Sequence, residues 1–217
     1  AHDGVHLWSH RYDRQLTDVF KIQDEIAGEV VKALQLALPA AEQKRLTGKR
    51  TENVAAYQEY LRGNALLPNR RMADMRKALA HFERAIELDP GYAAAYSSAS
   101  MTLALLSSYG GELDSDETAR RTRYIEKALQ LDPGLGEAYA TRASLREQQQ
   151  DVKGAEEDYR RATELAPNFA SGFQWYGEFL TNQLGEAERA LPLLERAVKL
   201  DPLSPVIQNE YVSALAT

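Results

Sequence analysis

Four times this chain runs an amphipathic stretch into a proline with the same spacing, at Pro90, Pro133, Pro167 and Pro202. Three copies read Ala78-x3-Phe82-x2-Ala85-x4-Pro90, Ala155-x3-Tyr159-x2-Ala162-x4-Pro167 and Ala190-x3-Leu194-x2-Ala197-x4-Pro202. The fourth, Arg121-x3-Ile125-x2-Ala128-x4-Pro133, departs only at its first place. Successive prolines lie 43, 34 and 35 residues apart, and a period near 34 predicts an array of helix hairpins. A single hairpin cannot bury its apolar face alone, and stacking on its neighbours completes the core. The repetition therefore specifies an extended binding surface, not a reaction centre.

The spacing predicts helices near 54–67 and 73–88, 92–109 and 115–131, 135–149 and 151–165, 169–183 and 187–200, with a last helix at 204–216. In each pair the first is an A helix and the second a B helix. Each proline stops a B helix sharply, because it lacks the N–H that a further turn requires. Asp114 with Glu117 three residues on forms a capping pair for the second B helix, and Asp151 an N-cap for the third. Small residues recur where helices must approach closely: Ala85, Ala128, Ala162 and Ala197 on B helices, Gly63, Ser100, Ala143 and Gly177 on A helices. Phe82, Ile125, Tyr159 and Leu194 are expected to fill the space between them. The second pair carries nine extra residues, including Ser107 to Glu112, which are expected to lengthen its helices and add a flexible hinge, or else to form a protrusion that contacts a partner.

Ahead of the array, Val19, Phe20, Ile22, Ile26, Val30, Ala33, Leu34 and Ala37 recur at three- and four-residue intervals. They predict an N-terminal helix with one apolar stripe, interrupted at Pro39. The polar stretch Gly48 to Asn53 separates an N-terminal segment, 1–50, from the array, 51–217. Repeats are expected at 54–90, 92–133, 135–167 and 169–202, with a partial fifth at 204–217. The chain opens without Met and ends inside a helical pattern, so it is expected to be a piece of a longer protein.

These residues resemble the tetratricopeptide repeat family. Phe173-x2-Tyr176-Gly177-x2-Leu180 matches the family's A-helix pattern well, and Tyr96-x2-Ala99-Ser100-x2-Leu103 tolerably. Tyr139-x2-Arg142-Ala143-x2-Arg146 departs, with arginines where apolar groups are expected; their stems can pack while the guanidinium groups reach a carboxylate or solvent. The resemblance covers about residues 54–217 and implies an all-α, right-handed α-solenoid of four helix pairs plus a terminal helix. The N-terminal run Gly4 to Arg14, then Asp18 to Ala27, resembles the end of a TolB-like domain. In certain bacterial adenylate cyclase-like proteins, winged-helix regulators and kinases, that domain precedes the repeats. This implies a regulatory setting.

Little in the sequence supports catalysis. Cysteine is absent, which excludes disulfides and thiolate metal sites and suits a reducing, cytoplasmic location. His2, His6 and His10 are spaced by four, but Gly4 and the flanking aromatics argue against a helix that would stack them on a metal. Asp114-x-Asp116 lacks the glycine and late glutamate of a calcium loop, and Gly48-Lys49 lacks the glycine that would cradle phosphate. No catalytic residue, cofactor or metal is expected. A net charge of −6 argues against nucleic acid, and no apolar run is long enough to insert in a membrane.

A stacked array curves with its A helices on the concave side. One residue beyond each core aromatic, Tyr60 and Asn64, Ser97 and Met101, Ala140 and Ser144, Gln174 and Glu178 are expected to face the groove. Tyr57, Leu67, Glu137, Glu147, Ser171 and Thr181 flank them. The carboxylate clamp of chaperone-linked family members is not expected, because the matching places hold Tyr60, Ser98, Glu137 and Thr141, with only Asn64 suitable. Two readings follow. The groove binds a protein or peptide, anchored at the Tyr57/Tyr60/Met101 end. Alternatively the array couples domains or forms a homodimer through helix 204–216, whose Val206, Ile207, Tyr211 and Leu215 make a stripe without a following B helix. In the second reading the full-length protein can itself be an enzyme, such as a class III adenylate or guanylate cyclase, or a winged-helix transcriptional regulator.

Overall fold

A computed structural model describes residues 51–215 of the protein. The expectations for the N-terminal segment, its helix and its three histidines lie outside those residues. Among the described residues nine α-helices follow one another: α1 (Val54–Leu66), α2 (Met72–Leu88), α3 (Ala93–Ser108), α4 (Ser115–Leu131), α5 (Gly136–Gln148), α6 (Val152–Leu165), α7 (Ala170–Asn182), α8 (Ala187–Leu200) and α9 (Pro205–Leu215). A short 3-10 turn, Leu67–Asn69, joins α1 to α2. There is no strand among the described residues. The expected all-α solenoid of four pairs and a terminal helix is what forms.

The two kinds of turn have different causes. Each B helix ends with an N–H that donates to the carbonyl four residues back: Asp89 to Ala85, Asp132 to Ala128, Ala166 to Ala162 and Asp201 to Ala197. The proline that follows disfavours helical backbone at these residues, and none of the four is helical, with φ of −142°, −139°, −125° and −136°. A β-turn then closes with Tyr92 N–H to Asp89, Leu135 to Asp132, Phe169 to Ala166 and Ser204 to Asp201. The same local chemistry thus sends the chain into the next A helix four times. After A helices the device is a left-handed residue. Gly110 at φ 81° ends α3, with Gly111 N–H donating to Leu106 at 2.8 Å. Gln150 performs the same role after α5 at φ 63°.

Both predicted caps form. Asp114 Oδ1 accepts from Glu117 N–H at 2.8 Å while Glu117 reaches back to Asp114 N–H, and Asp151 accepts from Gly154 N–H at 3.0 Å. Asn53 caps twice. Its Oδ1 accepts from Ala56 N–H at the start of α1, and its Nδ2 donates to the Leu88 carbonyl at the end of α2. Of the nine extra residues of the second pair, six lie in its helices, 16 and 17 residues against 13 and 14 in the third, and three in the connection 109–114.

Packing within each pair rests on the small-residue seam. A Cβ on Gly63 would come within 2.6 Å of the Phe82 ring, and one on Gly177 within 2.6 Å of Leu194. Ala143 is fully buried, and the Ser100 hydroxyl donates to the Arg121 carbonyl at 2.9 Å. Successive A helices touch directly, α3 with α5, α5 with α7 and α7 with α9, whereas the described B helices make no comparably extensive contact with one another. That difference places the A helices on the inner side of the curve. Of the apolar stripe expected on α9, Ile207 and Tyr211 pack inward with Ala214 against α7 and α8. Leu215 does not share that face and is exposed together with Val212, since only one side of the helix can rest on the preceding pair.

The arginines of the third A helix have a defined partner. Arg142 Nε and Nη2 each lie 2.7 Å from a different oxygen of Asp158, and Arg146 Nη1 lies 3.0 Å from Oδ2. The Asp158 side chain is only 5% exposed. Three charges at the α5–α6 seam replace the apolar contacts of the other repeats, and Tyr139 is flanked by Arg142 and Arg161 at 5.1 and 4.7 Å from its ring centre. Removing the carboxylate would leave two cations without their common partner. Asp158→Ala is expected to lower unfolding free energy by about 2–4 kcal/mol, measured by urea denaturation. A loss within experimental error would show that both arginines are adequately solvated without it.

Candidate groove of the A helices

The inner face changes character along its length. At the α1–α3 end, Tyr57 is buried with Ala56, Ala85, Tyr92 and Ala95 and offers little surface to a partner. Tyr60 is half-buried, its ring 5.8 Å from Phe82 and 5.1 Å from Tyr92. Asn64 is also half-buried, Ser97 is buried, and Met101 packs partly exposed on the Met75–Phe82–Leu103 cluster. Trp175 of α7 is half-buried and packs against three clusters, including that one and the one around Tyr139. It joins the fourth repeat to the first two, a role that its place outside the family pattern did not signal. His81 is half-buried and has Nδ1 2.7 Å from Glu59 Oε2, which draws the Glu59 carboxyl below its usual range.

Towards α9 the face is polar. Glu137 stands half-buried in the first turn of α5, where its carbonyl accepts from the Thr141 hydroxyl at 3.0 Å. Thr181 turns its hydroxyl onto the Gly177 carbonyl at 3.0 Å, and Gln174 is buried. Ser144, Glu147 and Glu178 remain partly accessible. Ser144 Oγ accepts from Arg121 Nη2 at 3.3 Å, and Glu147 Oε2 accepts from the Tyr159 hydroxyl at 3.1 Å. The Glu178 carboxyl makes no hydrogen bond or ion pair among the described residues. Burial, then the neighbouring charges of Glu210 and Glu147, push its pKa up to about 7. Burial also raises that of Glu147, opposed by its hydrogen bonds from Tyr159 and Gln183.

Of the expected groove residues, the structure thus gathers Tyr60 and Met101 at an apolar end and Ser144 and Glu178 at a charged one. Tyr57, Ser97 and Gln174 are taken up by packing. Sequence reasoning missed Trp175, Glu210 and the inward reach of Arg121. The last had a visible signal in the broken Ala-x3-aromatic pattern. Because Glu178 holds its proton more tightly folded than unfolded, its contribution to stability is present below pH 4.5 and lost as pH rises towards 7. Glu178→Gln should therefore flatten the stability profile over that window and gain about 1–3 kcal/mol above it. Denaturation at pH 4.5 and pH 8 checks this, and an unchanged slope would refute it.

A tetratricopeptide repeat family model matches residues 136–169, the third repeat and its following turn. Over 98 residues, 45% of the chain, the sequence is 36% identical to a Rhizobium meliloti (strain 1021) protein named Putative adenylate cyclase 3. The chain spans 17% of the length of that relative. A thermophilic TPR protein of Thermus thermophilus superposes with a TM-score of 0.55 at 16% identity, covering 93% of this chain and 98% of the other. PilF of Pseudomonas aeruginosa superposes at 0.52 with 18% identity, covering 75% and 68%. The chain thus matches one tetratricopeptide repeat at 136–169, within a helical fold that resembles these two solved structures.

Proposed function

We propose that this chain is a noncatalytic interaction module that binds a partner peptide or protein domain along the A-helix groove. Its setting in this reading is a cytoplasmic bacterial signalling or regulatory protein. The observation that carries the reading is the graded inner face: half-buried Tyr60 and Met101 at one end, and at the other Glu178, whose carboxyl has no partner among the described residues, with Trp175 one turn before it reaching back to the apolar cluster. Aromatic groups held in place by packing lose little entropy on binding and commonly dominate such interfaces. The charged end favours one partner orientation over others. The net charge of −6 argues against nucleic acid as the ligand.

A second reading is favoured by the likeness to the Rhizobium meliloti protein. Here the array regulates a larger enzyme of the cyclase class by coupling one of its domains to a partner. A change in nucleotide cyclisation by the full-length protein on occupation of the groove would support it, and a constant rate would not. The exposed Val212 and Leu215 offer a route to homodimerisation, which a monomer mass by light scattering at high concentration would remove.

The main experiment is affinity capture with the full-length protein, followed by calorimetric titration of the captured partner. Tyr60→Ala is expected to weaken binding by about 1.5–3 kcal/mol, more than tenfold. Unchanged affinity in both Tyr60→Ala and Glu178→Gln would exclude this face as the binding surface.

A further inference from the structure

Arg121 occupies the place where the other three repeats carry Ala78, Ala155 and Ala190. Those alanines are fully buried between helices, and the arginine is 2% exposed. Half-buried Arg142 and Arg146, at the seam of the next pair, have the Asp158 carboxylate as their partner. Arg121 has none among the described residues. Its Nη1 donates to Gln148 Oε1 at 2.5 Å and its Nη2 to Ser144 Oγ at 3.3 Å, while buried Nε has no acceptor. Every acceptor it has is neutral. Burial lowers its pKa to about 10, so the guanidinium keeps its charge at neutral pH without a counter-ion.

Both acceptors lie on α5, and Gln148 is exposed. The Gln148 amide is therefore a removable cover over the guanidinium. A ligand carboxylate in its place would make charge-assisted hydrogen bonds, which are shorter and stronger than those to a neutral amide. The surroundings set what else that ligand must carry. The Tyr159 hydroxyl feels the charge of Arg121 on one side and holds Glu147 on the other. Beyond Glu147 lie Glu178 and Glu210, close enough to influence one another. An anion alone would gain Arg121 and be repelled by these carboxylates; an adjacent cation cancels that repulsion.

We infer that Arg121, uncovered by displacement of the Gln148 amide, receives a carboxylate of the partner, while Glu178 receives a neighbouring basic side chain. The ligand class is a peptide segment that presents an acidic residue beside a basic one. This site rests on the groove reading above and specifies its chemistry at the α5–α9 end. It differs in construction from a clamp on A-helix cations, because the anion receptor belongs to a B helix and reaches the groove from behind.

The test uses the full chain and four acetylated, amidated decapeptides on one Ser/Gly/Leu scaffold. Their two central residues are Glu–Lys, Glu–Gln, Gln–Lys or Gln–Gln, titrated by calorimetry at low salt. The Glu–Lys peptide is expected to bind at least tenfold more tightly than Gln–Gln. Arg121→Met should erase the advantage of Glu and keep that of Lys, and Glu178→Gln should do the reverse. Gln148→Glu supplies the carboxylate from within, so it should raise Tm and also erase the advantage of Glu. Should Arg121→Met fail to fold, Gln148→Glu decides the matter. Equal binding of all four peptides, no binding by any, or a Glu advantage that survives a folded Arg121→Met or Gln148→Glu would overturn the site. A captured partner whose affinity still depends on Tyr60 would then leave the groove reading standing without it.

Discussion

The Phe82 ring lies where a Cβ on Gly63 would meet it at 2.6 Å, and Leu194 stands in the same relation to Gly177. Close approach at this seam is what the remaining architecture depends on. It brings A and B helices of a pair near enough to exclude water from the large residue on one and the backbone of the other. Once pairs are this thin, their A helices touch along the array while their B helices splay, and curvature follows. The glycines that permit it lose more entropy on folding than alanine would, a cost offset by apolar burial of the side chains they admit.

Where the seam departs from small-plus-aromatic, polar groups enter, and each departure is handled differently. Ser100 turns its hydroxyl onto a backbone carbonyl, so it costs little. Arg142 and Arg146 converge on Asp158, a satisfied cluster at the flank of the third pair. Arg121, by contrast, is buried against neutral acceptors. A charge placed this way weakens the fold relative to an apolar residue of the same size. Its orientation toward the groove links that weakness to binding. Charge on helices α4 to α7 is thus of two kinds, one that completes the packing and one that the proposed site assigns to a partner.

The groove shows the same sorting among apolar groups. Tyr57 is spent on the core while Tyr60, one turn on, keeps part of its surface. Trp175 crosses from the fourth repeat to the cluster of the first two, so the apolar end of the inner face is built by residues far apart in the chain. A partner seated there would contact three repeats at once, which ties its affinity to the relative placement of the pairs.

Helix positions, their caps and the repeated stop were legible in the sequence because each is fixed within a few residues. A proline sets the backbone of the residue before it, and Asp114 and Asp151 find their N–H partners three residues away. The packing seam was legible too, because small and large residues alternate at fixed offsets. Which groove residues stay accessible was not: Ser97 and Gln174 sit at the expected register and are nevertheless buried by neighbouring helices. The partners of Arg121, and the field of Glu147 and Glu210 on Glu178, join residues from different repeats. Local sequence determined the helices and turns, since those interactions span only a few residues. Tertiary structure alone decided the charged end of the groove, since electrostatic energy depends on distance and burial that only the stacked array creates.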